Sequence, residues 1–438
     1  MTAPPPADAL QPSSWKAKAA GIAALAAGQA ALLLMANIWD PDSASDVRGI
    51  YHIWMTQGQS GQWPVLSVPW VYPFLALAPL RLALALEPLL GGYVFSWCLI
   101  VAALDIAACA VVWRQFGFRR GNRGVCWWQA AAVLAGPVPM GRLDGIVVPV
   151  MVAGLAYAGS RPKAAAVLLT LGAWIKVIPG GAFLALAATG RDRLKRFVGP
   201  ALAASAAVMA LAALMGASFG NIISFLTIQI GRRLQIEAVA GTPIIVYRRF
   251  VPGDLMVWNG DTLTLEFSVP AAEIAARLCG LLLPLAAVAI TWLAYRAAAA
   301  GGLSRFEICL TAAAAELSAM IVFNQVGSLQ FVCWVFPAAA VGLAAFGQDR
   351  WWRAMAALAT AAAVLTRPIA QRYMSFLALD WDMLAIFVLR NAAYVAILVV
   401  AVKRLWPWAK RAGLFRLYDD PAPAAGRLGQ NRLAGKTF

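Results

Sequence analysis

The chain has 438 residues, of which 62% are hydrophobic and 13% are charged, against roughly 25% charged residues in an ordinary soluble domain. A transmembrane helix needs roughly 20 apolar residues, so this composition predicts about ten to twelve spans. It excludes a soluble globular enzyme, a disordered protein and a nucleic-acid-binding module. The net charge of +16 is typical of cytoplasmic loops that face anionic lipid. We therefore expect an all-α, polytopic integral membrane helix bundle.

Cysteine and histidine usage indicates neither a disulfide framework nor a metal site. The six cysteines all lie in apolar stretches, and the chain has a single histidine, His52. The Pro-rich residues 1–16 are expected to form a disordered cytoplasmic N-terminus without a cleavage site, so the first helix is expected to be retained. Residues 17–402 form the predicted membrane domain, and 403–438 a cytoplasmic basic tail.

Apolar segments follow one another along the membrane domain and define the predicted helices. A further segment, 69–86, is interrupted by prolines. The uninterrupted segments are 17–37, 92–113, 125–140, 145–160, 164–188, 197–218, 278–296, 307–323, 329–347, 354–366 and 383–402.

The distribution of Lys and Arg predicts which loops face the cytoplasm. Both chain ends are basic, so both are expected inside, which requires an even number of crossings. Basic turns at 190–196, 297–305 and 348–353 are expected on the same side. The loops 38–68, 219–277, 324–328 and 367–382 then face outside.

The region 69–190 allows two topologies. If every apolar segment crosses once, the arginines of 114–124 lie outside, against the positive-inside rule. If instead 69–86 belongs to the first outer loop and 164–188 turns back at 175–181, every basic loop lies inside. We favour this second topology, which also puts eight aspartates outside: Asp40, Asp42, Asp46, Asp144, Asp254, Asp261, Asp380 and Asp382.

Candidate functional residues concentrate in the outer loops. Asp46 begins a short amphipathic stretch and is either a carboxylate base at the membrane surface or a helix-start residue stabilised by the macrodipole. Arg142 and Asp144 of GRLDG either face the same pocket or form a capped turn. Lys176 precedes a Pro-Gly-Gly helix break; it is either functional or snorkels to the interface.

Two later outer segments are also polar. Arg232 and Arg233, in QIGRRLQIE (229–237), are suited to bidentate phosphate binding, or they contact lipid headgroups. Gln325, Ser328 and Gln330 are suited to sugar hydroxyls, or they form a polar turn. Two acids within the spans, Asp105 and Glu316, have no ladder of partners and are interpreted as structural rather than as a proton relay.

In their order along residues 30–370, these motifs resemble the C-type glycosyltransferase superfamily, and within it family 87, the polyprenol-phosphate-mannose-dependent mannosyltransferases. The resemblance rests on Asp46 and Tyr51, Tyr72-Pro73, Asp144, Lys176 with Pro179, and the stretches 229–237 and 328–337. Some members of the family have paired histidines in the late outer loop, where this chain has Gln325 and Gln330. That departure leaves the sugar and the acceptor open.

The resemblance implies inverting transfer of a sugar, mannose in the family named, from a polyprenyl-phosphate donor to a glycolipid or glycan acceptor outside the membrane. Asp46 is the implied general base, and Lys176, Arg232, Arg233 and Arg142 are candidates to bind the donor phosphate. No cofactor is required, although Asp46 and Asp144 leave a divalent metal possible. Sugar or acceptor contacts are expected from Asp144, Tyr51, His52, Tyr72, Gln235, Glu237 and Gln330.

The expected partners are the lipid-linked donor, the acceptor and membrane lipids, with no nucleic acid. Ala-, Arg- and Trp-rich usage is compatible with a high-GC bacterium, so we expect a multi-pass protein of the bacterial inner membrane. The alternative function is a polytopic transporter or lipid flippase, which should show inverted repeats and paired broken helices; neither is evident in the sequence.

Overall fold

The computed structural model describes residues 15–251, 253, 256–260 and 264–412, apart from the side chain of Ile230. It is 80% helical, as the composition predicted. Seven helices in the described part of the chain are long and apolar enough to cross a membrane. The protein is therefore an all-α, membrane-embedded helix bundle.

The described helices vary in length from single turns to continuous spans. Short 3₁₀ helices lie at Pro41–Ala44 and Leu329–Val335, and a π-helix at Val47–Tyr51. The α-helices and the two strands are α1 (Trp15–Leu34), α2 (His52–Gln59), α3 (Leu77–Leu90), α4 (Tyr93–Ala135), α5 (Asp144–Tyr157), α6 (Pro162–Ala173), α7 (Pro179–Thr189), α8 (Gly199–Leu214), α9 (Phe219–Ile230), α10 (Thr242–Phe250), β1 (Met256–Asn259), β2 (Thr264–Phe267), α11 (Pro270–Ala300), α12 (Arg305–Val322), α13 (Phe336–Phe346), α14 (Arg350–Gln371), α15 (Tyr373–Leu377) and α16 (Trp381–Arg411).

Helix α4 reverses direction at Gly117. This glycine has φ 70° and ψ 162°, outside the helical region. The Gln129 amide donates to the Cys109 sulfur at 3.9 Å, although 20 residues of straight helix would separate them by about 30 Å. The predicted segments 92–113 and 125–140 are thus antiparallel neighbours, with the arginines of 114–124 at their turn.

Helices α6 and α7 form a second reversal, made of two half-helices. Arg305 donates to the carbonyl of Thr189, at the end of α7, at 2.9 Å. Its neighbour Phe306 lies against Gly159, just before α6. The start of α6 and the end of α7 therefore contact two neighbouring residues and lie at one end of the bundle. The break at 174–178 lies at the opposite end. This is the reversal that the second topology requires.

Helix α3 begins and ends on one side of the bundle. Just before it, the Leu75 amide donates to the Trp174 carbonyl at 3.0 Å, beside the break between α6 and α7. Near its other end, Glu87 pairs with His52 at 3.2 Å. The segment 69–86 thus returns to the side from which it started, as expected of part of the first loop.

The two ends of the bundle are distinguished by the chain segments that meet there. At one end, here called the basal end, Asn122 donates to the Ala17 carbonyl at 2.7 Å, and Arg404 pairs with Glu307 and Asp349 at 2.8 and 2.7 Å. The start of α1 and the end of α16 therefore lie at the basal end. The other end, here called the site end, holds the described aspartates of the loops that are predicted to face outside. Asp254, Asp261 and the tail beyond residue 412 lie outside the described residues.

Burial differs strongly between helices. The apolar window of Leu329–Phe346 is 94% buried, whereas that of α11 is 17% buried, as expected of a helix in contact with lipid. Two acids inside the bundle are bonded to neighbouring helices: Gln29 donates to Asp105 and Thr291 to Glu316, each at 2.9 Å. Each bond satisfies one oxygen of an acid that would be costly in lipid, whereas Glu316 Oε2 has no partner among the described residues; the bonds fit the structural interpretation.

Candidate functional site

Asp46 lies at the site end, paired with Arg142. The π-helix that follows Asp46 buries Val47 and Tyr51, while the Asp46 side chain stays 28% exposed. The Arg142 Nε lies 2.7 Å from the Asp46 carboxylate. Arg142 also donates to the Ser43 carbonyl at 3.0 Å, which fixes the guanidinium to the backbone of the first loop.

Asp144 forms a second, deeper ion pair with Lys176. The Asp144 side chain is fully buried, and its Oδ2 lies 2.7 Å from the Lys176 Nζ. Its Oδ1 accepts a hydrogen bond of 2.5 Å from the Trp334 indole. Thus the start of α5, the break between α6 and α7, and the 3₁₀ helix before α13 converge on one carboxylate.

Three aromatic rings surround the Lys176 ammonium group. Its Nζ lies 5.5 Å from the ring centre of Phe331, 5.6 Å from Trp334 and 6.0 Å from Tyr72. Ring faces attract cations at such distances. Lys176 is therefore held inside the protein and does not snorkel to water.

Tyr51 and Tyr72 form an aromatic wall beside these ion pairs. The Tyr51 ring packs against Trp54, Tyr72 and Trp97 with centroid distances of 5.7, 6.4 and 5.5 Å. The Tyr51 hydroxyl accepts a hydrogen bond from the Leu143 amide at 3.3 Å. This aromatic wall fixes the backbone between Arg142 and Asp144, so it sets the geometry of both ion pairs.

The two arginines of the segment 229–237 have different environments. Arg232 is half-buried within electrostatic range of Tyr72, and its Nε has no hydrogen-bond partner among the described residues. Burial lowers the pKa of the Arg232 guanidinium from its usual value. Arg233 is exposed and, in the described structure, makes no contact with the cluster formed by Asp46, Arg142, Asp144 and Lys176. The predicted arginine pair is thus one inward and one outward side chain.

Gln235 and Glu237 hold this segment in place. The Gln235 amide N–H donates to the Gln325 carbonyl at 2.9 Å, and the Gln235 side chain accepts from the Gly327 amide at 3.1 Å. Glu237 accepts from the Tyr373 hydroxyl at 2.8 Å. Burial raises the pKa of the Glu237 carboxyl, with Arg390 opposing that shift. These contacts describe structural bridges, and sugar contacts by either residue stay a prediction.

His52 and Gln330 do not join the cluster. His52 pairs with Glu87, and its ring packs against Tyr93 with a centroid distance of 4.8 Å, on the α3 side of the first loop. The Gln330 side chain accepts a local bond of 2.5 Å from Ser328. These placements argue against direct contacts of His52 with a ligand beside Asp46, and they give Gln330 a turn-stabilising bond.

The charges of the cluster are uneven. Asp46 and Asp144 are each paired with one cation, and Arg232 adds a further positive charge that the nearby Glu266 carboxylate partly offsets. Burial raises the pKa of the Asp46 carboxyl, while Arg142 and then Lys176 oppose that shift. A partly exposed carboxylate with a raised pKa suits proton acceptance. The excess cation suits an anionic ligand.

Asp46 and Asp144, the two carboxylates that left a divalent metal possible, form ion pairs with Arg142 and Lys176 in this structure. Among the described residues, no group of three or more His, Cys, Asp or Glu side chains has the arrangement to hold a metal ion. The expectation that no cofactor is required stays a prediction.

Comparisons with known proteins identify no relative. No family model, no curated protein and no solved structure matches this chain. The resemblance to family 87 therefore stays a prediction from the motifs.

Sequence reasoning missed the indole groups that complete the site. Trp334 donates to Asp144, and Trp97 donates to the Met140 carbonyl at 2.8 Å. Trp334 lies in the stretch 328–337 that carries part of the family resemblance. Its position in the sequence does not indicate a bond to Asp144, which lies 190 residues earlier.

Proposed function

We propose that the protein is an inverting membrane glycosyltransferase that uses a polyprenyl-phosphate sugar, with mannose as the expected sugar. The observation that carries the proposal is the convergence of Asp46, Arg142, Lys176 and Arg232 at one end of a membrane-embedded bundle. Asp46, Lys176 and the stretch 229–237, which contains Arg232, are also among the motifs that carry the resemblance to family 87.

Asp46 has the properties of a general base. Its carboxylate is partly exposed, and Asp144, the other acid of the cluster, is fully buried between Lys176 and Trp334. An acceptor hydroxyl placed beside Asp46 would lose its proton to the carboxylate as its oxygen attacks the anomeric carbon. The bond from that carbon to the phosphate breaks from the opposite face, which gives inversion.

Three cations are available for the leaving polyprenyl phosphate. Arg232 lies within electrostatic range of Glu266, but its Nε has no hydrogen-bond partner among the described residues, so it is the cation best able to receive the phosphate. Arg142 and Lys176 are already oriented by ion pairs of 2.7 Å. Charge-assisted hydrogen bonds from such groups stabilise the negative charge that develops on the leaving oxygen.

The membrane setting suits a lipid-linked donor. A sugar phosphate is already activated, so no nucleotide-binding domain is needed. We propose that the acceptor is a glycolipid or glycan, that the site end faces outward from a bacterial inner membrane, and that both chain ends are cytoplasmic.

A transporter or lipid flippase is the second candidate function, and one observation favours it. The half-helices α6 and α7 meet at a break beside Lys176, and broken helices form substrate sites in many transporters. Flux of solute or lipid in proteoliposomes without any acceptor would support this candidate.

The decisive experiment measures sugar transfer from polyprenyl-phosphate mannose by the purified chain in nanodiscs. We expect transfer by the wild type and a loss of at least about 100-fold in Asp46→Asn, since the variant keeps the shape of the side chain but not the base. Asp42→Asn, which changes an exposed acid of the same loop, is the matched control and should stay active.

Two results would contradict the proposal. Full transfer by Asp46→Asn would remove Asp46 from the mechanism. No transfer by the wild type from any polyprenyl-phosphate sugar, together with acceptor-independent flux, would favour the transporter.

A further inference from the structure

A basic and aromatic surface lies at the site end, apart from the cluster around Asp46. We call it the α10 surface: Tyr247, Arg248, Arg249 and Phe250, from the last turns of α10, together with Trp381, the first residue of α16. Tyr247, Phe250 and Trp381 are 59%, 66% and 55% exposed. Large rings this exposed, between arginines, are unusual on a surface that faces only water.

Ring contacts tie the end of α10 to the start of α16. The Arg249 guanidinium lies 4.6 Å from the ring centre of Trp381. The Phe250 ring meets the same indole at 5.6 Å with an interplanar angle of 65°. The two helix ends therefore lie at one height relative to the membrane.

That height is the headgroup region. Helix α16 has 31 residues and is about 46 Å long at 1.5 Å per residue, whereas the hydrocarbon core is about 30 Å thick. A helix this long extends beyond the hydrocarbon. Residues 381–402, which precede Lys403 at the basal end, span about 33 Å by themselves, so Trp381 reaches the interface, where tryptophan and tyrosine side chains are enriched.

The two arginines of the α10 surface form no ion pair within the part of the chain that the structure describes. Among the described residues, neither Arg248 nor Arg249 has a carboxylate within ion-pair distance. Arg248 donates to the Val251 carbonyl at 3.3 Å. On the neighbouring loop, by contrast, Arg372 is paired with Asp382 at 2.5 Å. Two unpaired cations between exposed rings complement phosphate groups set among lipid chains.

We propose that the α10 surface binds the headgroup phosphates of anionic phospholipids in the leaflet at the site end. Asn391 of α16 donates to Thr242, the first residue of α10, at 2.7 Å. The lipid contact therefore holds α10 at both ends and keeps the preceding segment, 232–237, at the membrane surface. This inference does not depend on the reaction that the protein catalyses.

Hydrogen exchange measured by mass spectrometry tests the proposal on the full chain in nanodiscs. We expect amides of 242–251 to exchange more slowly in phosphatidylcholine nanodiscs that contain phosphatidylglycerol than in phosphatidylcholine alone. The expected difference is about 5-fold for each arginine, as for one basic residue near an anionic surface. High salt should reduce it.

The variants separate the lipid contact from other causes. Arg248→Gln/Arg249→Gln should lose the dependence on phosphatidylglycerol, and Arg372→Gln, which removes a paired arginine on the next loop, should keep it. Melting temperatures of both variants report whether they fold. Exchange that is equal in the two lipids, or a dependence that persists in the double variant, would overturn the proposal. So would protection by added polyprenyl phosphate but not by phosphatidylglycerol, which would assign the surface to the lipid-linked substrate.

Discussion

Arg142 has two neighbours that compete for its guanidinium: the Asp46 carboxylate and, in the proposed reaction, the donor phosphate. In the structure it is bonded to Asp46 and to the Ser43 carbonyl. When the phosphate binds, the Arg142 charge would be shared, and the Asp46 carboxylate would become a better proton acceptor. Arg142 thus links donor binding to the basicity of Asp46.

The pH dependence of transfer should report the Asp46 carboxyl. The base is active when deprotonated, and burial raises its pKa, so kcat/KM should rise with pH through a limb above the usual carboxyl range. Arg142→Gln removes the largest influence that lowers this pKa, so the limb should move to higher pH. A pH profile of kcat/KM measures both effects, and a limb that stays in place in the variant would contradict them.

The ion pair between Asp144 and Lys176 should be essential for stability. Asp144→Asn leaves a buried ammonium without its partner, a change that typically costs about 3–5 kcal/mol. We expect a clearly lower melting temperature. Asp144→Asn combined with Lys176→Met should recover part of the loss, because no buried charge is then left unpaired. Equal melting temperatures for Asp144→Asn and wild type would show that the pair contributes little.

At the scale of elements, the site depends on a close contact between two loops. The segment 235–238 passes directly against Gly327, whose backbone leaves no room for a Cβ beside Ala238. The hydrogen bonds of Gln235 to Gln325 and Gly327 then join the loops. We expect this contact to position Arg232 relative to Tyr72.

Gly327→Ala should therefore separate the loops. Overpacking of this kind costs about 1–3 kcal/mol, so we expect a lower melting temperature together with weaker donor binding. The control is Gly280→Ala in α11, where the added methyl meets no atom within 4 Å and alanine favours the helix. Thermal unfolding and KM for the donor measure the effects. Unchanged donor binding in Gly327→Ala would argue that the contact does not position Arg232.

At the scale of the whole molecule, the half-helices α6 and α7 decide how the bundle is connected. Because the start of α6 and the end of α7 both lie at the basal end, the break at Lys176 lies at the site end. A single continuous helix over 164–188 would instead put residues 160 and 191 on opposite sides of the membrane.

Labelling with a membrane-impermeant maleimide distinguishes these arrangements. Ser160→Cys and Arg191→Cys should react from the same side, and Ser60→Cys, in the first loop, from the opposite side. All three positions are exposed, whereas five of the six native cysteines are buried and Cys126 is partly exposed. Reaction of Ser160→Cys and Arg191→Cys from opposite sides would rule out the reversal. Unmutated protein is the control for Cys126.

Some features of this protein follow from the sequence alone, because they depend on composition and on neighbouring residues. The apolar segments, the basic turns and the helix break after Lys176 are local properties. They were sufficient to predict an all-α membrane bundle and the reversal within 164–188.

The tertiary structure alone decided which side chains meet. Both arginines at 232 and 233 looked equivalent in sequence, but only Arg232 turns toward Tyr72. His52 follows Tyr51 directly, yet one side chain reaches Glu87 and the other faces Leu143. The bond from Trp334 to Asp144 joins residues 190 positions apart. Such contacts depend on how whole helices pack, and helix packing is set by many distant side chains together, so no local pattern could have specified them.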